Sequence, residues 1–593
     1  MSQLRRPRRI STQEALSMLQ SMSDCESDGG DVGDLGFQNE NVVTDSSSDE
    51  DATALAPVNP PLQRCTRRRA VNYVIEQDSS NTEATSDEED TTHASPPHNK
   101  RQKVADVGTI PGSTEKAKDG TVWFHCQVGD VFAHETPQTA FSGSGGPTEF
   151  ARRKITSRLQ SFLCLVDMTM LLTIRDCTVH EGRRTNPSWQ VSVFELMAFL
   201  AILFRRAAKG YVGSMQLMWT NRFGNPDIKA IMPRNRFFEI KRYLRFDNKD
   251  TRKERIQTDK FAAISDIWQR FVQNCVSSYS PGQHVTVDEQ VFPSKVRCPF
   301  LQYIASKPNM FGIKFWIAAD LETKFMCNAI PYLGKDPTRP TGERLSENVV
   351  LKLMEPFMDQ GRTVTLNNFF TSLSLANRLL KRKTTLLGAI NKNRQELPAT
   401  AKETSDHQLY STQVFTSGRA LLTVYTTKKK SVCLLSTIHQ KVEIVDTRKQ
   451  KPNAVVDYNH FKCCSDIMEQ KLRNYSVRAG TRRWPMAVFY NLLDLAAANA
   501  HILYTACTGS KESRQLFMLE LAEELQNCLL QEKAEGEERK QQCREMRVSQ
   551  KKKTQCQVRI LCNNNRSTKV CVHCRKYTCA KCRKDSPWEC GNC

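Results

Sequence analysis

The chain has 593 residues, 25% of them charged and 39% hydrophobic, with a formal net charge of +21; this length calls for several ordered units rather than one core. Charge is unevenly spread: residues 1–100 hold nine Arg and Lys against eighteen Asp and Glu, a net of −9, and the other 493 residues carry +30. A basic body behind an acidic tail points to a polyanionic partner, nucleic acid foremost, and with no run of eighteen apolar residues or signal-peptide core, neither export nor a membrane partner is expected.

Residues 1–120 are rich in Ser, Asp, Glu, Asn, Thr and Pro, with acidic serine clusters at Ser46–Asp51 and Ser86–Asp90. Such a segment cannot bury enough apolar surface to offset its ordering entropy, so a disordered acidic tail is expected. Arg67–Arg69 and Lys100–Lys103 suit nuclear import, which places the chain in the nucleus. Residues 121–282 read as mostly helical. Val193–Phe204 is strongly apolar, and Phe261, Ile264, Ile267, Trp268 and Phe271 share a helical period. Arg234–Arg245 adds a basic face, on which Arg242 and Arg245 are candidates for phosphate contact.

From His284 the period changes to that of strands, at His284–Asp288, Gly312–Asp320, Lys324–Ala329 and Thr363–Asn367, with a helix over Ser374–Lys381. Strands followed by strand–helix alternation indicate a mixed α/β sheet over 283–392. Short β-like runs at Ala420–Tyr425 and Ser431–Leu435 mark 393–452 as an all-β insertion, and helix returns from Trp484 to about Cys543. Asp288 and Asn367 both end apolar strands, where α/β sheets build their sites. Asp466 and Glu469 are three residues apart on an expected helix and share a face. Carboxylates converging from distant sequence are what a Mg²⁺-dependent phosphoryl-transfer site needs, because the hard cation takes oxygen ligands.

Several blocks resemble piggyBac-type DNA transposases, in order from about residue 150 to the C-terminus. They are Arg242–Asp247, Thr286–Glu289, Lys307-Pro308 with Phe311–Phe315, Thr323–Lys335, Asn368–Ser372, Asp457–Asp466 and Arg482–Met486. The resemblance implies an RNase H-like catalytic core at 283–392 and 453–476, interrupted by the β-rich insertion. A helical dimerisation and DNA-binding region, at 121–282 and 477–545, flanks it. It implies double-stranded DNA and a second copy of the chain as partners, and cut-and-paste chemistry at TTAA targets through three Asp. Those positions fall on Asp288, Asn367 and Asp466, with an auxiliary acid at Glu469. Asn367 stands where the second Asp is expected, and Cys463-Cys464 where a Gly pair usually precedes the third. A neutral ligand removes charge from the metal pair, so impaired cleavage is expected.

Of the 22 cysteines, eight crowd into residues 556–593 of a terminal segment at 546–593. Cys571/Cys574, Cys579/Cys582 and Cys590/Cys593 are CxxC pairs, with Cys556 and Cys562 a looser fourth. Eight thiolates suffice for two zinc ions, without which so short a segment has no core. Their order suggests a cross-brace, with Cys571, Cys574, Cys590 and Cys593 on one ion and Cys556, Cys562, Cys579 and Cys582 on the other. Lys551, Lys552, Lys553, Arg575 and Lys576 suit phosphate contact. Three readings follow: a transposase-derived DNA binder with a degenerate site, a working transposase, or a chromatin or ubiquitin-system module built on the zinc segment.

Overall fold

The computed structural model describes residues 113–592 apart from 132–140, 142, 212, 223, 305–309, 335–341, 404–407, 429, 552 and 585–589. Both basic runs read as import signals lie outside the described residues. The chain forms two compact units, one from Met1–Ser144, Pro281–Ile467 and Gly480–Val488, the other from Gly145–Ser280, Met468–Ala479 and Phe489–Cys593.

The first unit is built on a mixed sheet of strands β1 (Thr114–Lys116), β2 (Val122–Cys126), β3 (His284–Pro293), β4 (Leu301–Tyr303), β5 (Phe311–Asp320), β6 (Met326–Pro331), β7 (Thr363–Leu366), β8 (Thr385–Ala389), β9 (Thr412–Ser417), β10 (Ala420–Thr426) and β11 (Ser431–Ser436). Their order is β1-β2-β9-β10-β11-β8-β7-β3-β5-β4, with β6 paired to β5. β3 is central. It runs antiparallel to β5 and parallel to β7, which runs parallel to β8. Val285, Val287, Val364 and Leu366 are fully or almost fully buried, as central strands covered on both faces require. Leu387, Ala389, Tyr425 and Leu434 form a core with Ala454, Val455 and Tyr458 of helix Asn453–Lys462.

The insertion strands do not stand apart, because β11 pairs with β8 and extends the core sheet. β1 and β2, inside stretches read as tail and helical region, complete its far edge: Cys126, His125 and Phe124 pair with Val414, Phe415 and Thr416.

The second unit is helical apart from two-stranded pairings such as Gly146–Pro147 with Tyr279–Ser280. Helix Val193–Ala208 starts at a capping box of Ser192 and Glu195, and every residue from Leu196 to Ala208 is buried. It packs along helix Arg514–Lys551; an apolar surface all round suits a helix enclosed by others. Helix Trp484–Thr508 is long and apolar enough to cross a membrane by length and composition, but 83% of its most apolar window is buried, as in a core helix.

Asp494 on that helix is buried, accepting from Ser476 Oγ at 2.5 Å and Val477 N–H at 2.8 Å. Burial pushes its carboxyl up to about 7, against those two hydrogen bonds and the charges of Arg514 and Arg478. The folded chain therefore holds a proton that the unfolded chain releases above about pH 4, so this contribution to stability is lost as pH rises towards 7. Thermal melting should show Asp494→Asn gaining over the parent more at pH 8 than at pH 5. Parallel pH profiles for the two chains would contradict this.

Candidate active site and metal centres

The parallel register pairs Val287 with Leu366, so Asp288 lies beside Asn367, the first residue past β7; β3 does not end at Asp288 as expected but runs on to Pro293, held by its antiparallel pairing with β5. Asn367 closes a tight turn: its Oδ1 accepts the Phe369 N–H at 3.0 Å, and its carbonyl accepts Thr371 Oγ1 at 2.9 Å. Such turns are the habit of Asn at strand ends. Gly388 lets the turn settle, because a Cβ there would lie 2.3 Å from Thr371 Oγ1. Ser372 then caps helix Leu373–Lys381 through the Leu375 N–H.

With Oδ1 committed to Phe369, the Asn367 Nδ2 faces Asp288 and donates to its Oδ1 at 2.9 Å. The same Asp288 oxygen accepts the Glu289 N–H at 2.8 Å. Tyr458 packs close by; its phenol is pushed up by burial first and by Asp288 next. The pair thus offers one carboxylate and one amide N–H donor. That donor set does not fit a magnesium pair, which requires oxygens from both strands. An Asp at 367 would instead place two carboxylates about 3 Å apart, an arrangement that calls for a cation or a shared proton.

Asp466 lies in the first turn of helix Cys464–Asn474 and is exposed. Cys463 forms the break between this helix and the one before, and the buried Cys464 thiol donates to the Asp320 carbonyl at 3.4 Å. Burial pushes that thiol up to about 11, so it is inert packing. Glu469 is buried and paired with Arg473 at 2.7 Å. Among the described residues, no three His, Cys, Asp or Glu ligand atoms gather around Asp288; the two such groups are both cysteine.

The first cysteine group is Cys556, Cys562, Cys579 and Cys582, and the second Cys571, Cys574 and Cys590, each with sulfurs within 4.8 Å of one another. Both groupings follow the cross-brace order; Cys593, the expected eighth ligand, lies outside the described residues. A tetrahedral ion with Zn–S of about 2.3 Å separates its sulfurs by roughly 3.8 Å, and Cys574 and Cys590 are 3.5 Å apart. Backbone N–H groups donate to these sulfurs, Cys590 to Cys571 at 3.2 Å and Cys579 to Cys556 at 3.4 Å. The Cys574 N–H leads in lowering Cys571 to about 6. At Cys556 burial pushes up, but N–H donors from Arg559, Cys579 and Val558 bring the thiol to about 6. Cys582 goes the other way, pushed up to about 11 by burial first and then by the thiols around it; the four clustered sulfurs with their N–H donors fit a thiophilic ion such as zinc. His573 is exposed and belongs to neither group.

The candidate phosphate contacts divide. Lys553, Arg575 and Lys576 are exposed around the cysteine centres, and Arg242 is exposed on helix Arg234–Tyr243. Lys551 ends helix Arg514–Lys551, and Lys552 lies outside the described residues. Arg245 turns inward: it is 7% exposed, donates to Glu181 Oε1 at 2.8 Å and to the Arg242 and Leu244 carbonyls, and offers no face to a phosphate.

A family model described as Transposase IS4 matches residues 158–501, more than half of the chain. The chain belongs to the Transposase IS4 family. This Transposase IS4 member is 25% identical over 333 residues to the human "PiggyBac transposable element-derived protein 3", a match covering 52% of this chain and 55% of that protein. The human "Chimeric ERCC6-PGBD3 protein" matches over the same length and identity, with 30% of it covered. The chain spans little more than half the length of the first of these relatives and less of the second. Its fold also matches the cryo-EM structure of a piggyBac transposase synaptic complex with hairpin DNA, at 28% identity and a TM-score of 0.63, covering 76% of this chain and all of that one. The piggyBac-type kinship expected from the sequence is thus shown.

Sequence reasoning missed what lies beyond Asn367. Asn368, Phe369, Asn391, Asn393 and Arg394 line a cleft on the same unit; residues this far apart in the chain leave no local signal of it.

Proposed function

We propose that this Transposase IS4 relative is a nuclear DNA-binding protein descended from a piggyBac-type transposase, holding double-stranded DNA as a homodimer without efficient cutting. The observation that carries the second half is the Asn367–Asp288 hydrogen bond, which occupies the place where cleavage would need a second carboxylate. The strand sequence β6-β5-β3-β7-β8 supports reading the core as RNase H-like, with the insertion prolonging its sheet. Support for DNA comes from the likeness to a transposase solved with hairpin DNA and from the +30 carried by the body of the chain. We assign two zinc ions to the cysteine groups, and phosphate contact to Arg242, Lys551, Lys552, Lys553, Arg575 and Lys576.

The test is fluorescence anisotropy of the full chain with a labelled duplex in magnesium-free buffer at rising salt. Binding should survive without magnesium and weaken with a log–log slope of about −0.9 per phosphate neutralised. Absence of binding, or a flat salt profile, would remove the reading. One observation favours a protein partner instead: Ile560 and Leu561, between Cys556 and Cys562, are 48% and 68% exposed. Capture of a protein by the metal-loaded chain, with no DNA affinity, would support that alternative.

A further inference from the structure

Around the loop Ser476–Arg478 the helical unit buries more positive charge than its own side chains neutralise. Arg206, on helix Val193–Ala208, is 6% exposed and donates from Nη1 to the Val477 and Arg478 carbonyls at 3.5 and 3.0 Å. Arg514 opens helix Arg514–Lys551, and its Nη1 donates to the Lys471 carbonyl. Each guanidinium keeps buried donors that meet no acceptor among the described residues: Nε of Arg206, and Nε and Nη2 of Arg514. An unmet buried donor on a charged group is a costly defect in a fold, and arginine does not escape it by losing its proton.

Asp494 does not fill the need. It faces the same loop and lies within electrostatic reach of both guanidiniums, but its oxygens accept Ser476 Oγ and Val477 N–H. Burial acts on it most strongly, so it keeps a proton up to about pH 7 despite Arg514 and Arg478. The other groups against the two guanidiniums supply no fixed negative charge. Tyr490 and Tyr475 are phenols. His501, near Arg514, is pushed down by burial, and Glu512 is held by Arg158 at 2.6 Å. The N-terminal dipole of helix Arg514–Lys551 adds to the positive potential. Free N–H donors in such a field call for an anion, and donors so enclosed suit an ion of halide size rather than a phosphate.

We infer that Arg206 and Arg514 together hold a small monovalent anion of chloride size beside Asp494, and that this anion and the Asp494 proton are taken up together. An ionised Asp494 would repel the anion and compete with it for the same field, whereas a protonated one leaves the guanidiniums to it. Each ligand therefore strengthens the binding of the other by the same factor. The loop Ser476–Arg478, gripped by Asp494 through Val477 N–H and by Arg206 through two carbonyls, is what the anion steadies.

The experiment is thermal melting of the full chain at constant ionic strength, with sodium chloride exchanged for sodium gluconate, whose anion is too large for the site. At pH 6, chloride at tenfold its dissociation constant should raise the melting temperature by about 3 °C over gluconate. At pH 8 the rise should shrink, because Asp494 is then ionised. Asp494→Asn should show the full rise at both pH values. Arg206→Lys and Arg514→Lys, which keep the charge but lose the Nε donor, should abolish it. If the lysine variants fold poorly, the pH comparison between the parent and Asp494→Asn decides alone. A parent that melts identically in the two salts at pH 6 overturns the inference. So does a chloride response that survives in both lysine variants, or one whose pH dependence survives in Asp494→Asn.

Discussion

Zinc removal is expected to unfold the cysteine-rich segment and to weaken DNA binding by the full chain at least tenfold. The segment's core consists of Cys556, Val558, Cys571, Cys579, Cys582 and Cys590, with Cys562 against it. Five of those six buried residues are ligand candidates, so without metal there is no apolar cluster to hold the chain. Structural zinc in such small units contributes on the order of 10–16 kcal/mol of apparent binding energy, effectively all of it folding energy. The exposed cations Lys553, Arg575 and Lys576 are displayed on that scaffold and lose their fixed arrangement with it. Mass spectrometry under native conditions should find two zinc ions per chain. Cys579→Ser and Cys571→Ser should each lose one, because the two residues belong to different groups. A chain that melts and binds DNA identically before and after chelation would contradict the assignment.

Arg245→Met is expected to destabilise the helical unit by about 3–5 kcal/mol, the usual result of removing one partner from a buried ion pair. Arg245 and Glu181 are each buried, and the guanidinium also serves the Arg242 and Leu244 carbonyls. Truncation leaves the Glu181 carboxylate with only Arg184 at 3.4 Å and Lys249 at 4.0 Å on its exposed side. Arg242→Ala should do the opposite, leaving the melting temperature unchanged while shallowing the salt dependence of DNA binding by about one unit of slope. Thermal melting and salt titration on both variants separate the two arginines. A stable Arg245→Met chain with weakened DNA binding would mean that the side chain swings outward in solution.

How much of this was legible depended on whether the information was local. The strand end at Asn367 could be read because apolar alternation stops there, whereas β3 passes through Asp288 to Pro293; the side-by-side placement follows once β3 and β7 are parallel neighbours. The two cysteine groups were likewise readable, since CxxC spacing and ligand order constrain how eight thiols pair off. Arg245 was not. Helix Arg234–Tyr243 ends two residues before it, so the helical period that placed Arg242 outward says nothing about where Arg245 points. Nor was the pairing of β2 with β9, almost three hundred residues away, because strand pairing at such separation leaves no local mark. The hydrogen bond from Asn367 to Asp288 fell between these cases. The substitution was visible, but only the turn that commits Oδ1 to Phe369 shows which end of the amide meets the carboxylate.

In the proposed function a single amide separates a DNA binder from an enzyme, and one excision assay tests this directly. A donor plasmid carrying the DNA that flanks this chain's own gene is incubated in magnesium with the parent, Asp288→Ala, Asn367→Asp, and Asn367→Asp combined with Asp288→Ala. The parent should give no excision, Asn367→Asp should excise, and the double variant should lose that activity. Excision by the parent that disappears in Asp288→Ala would make the chain an active transposase instead.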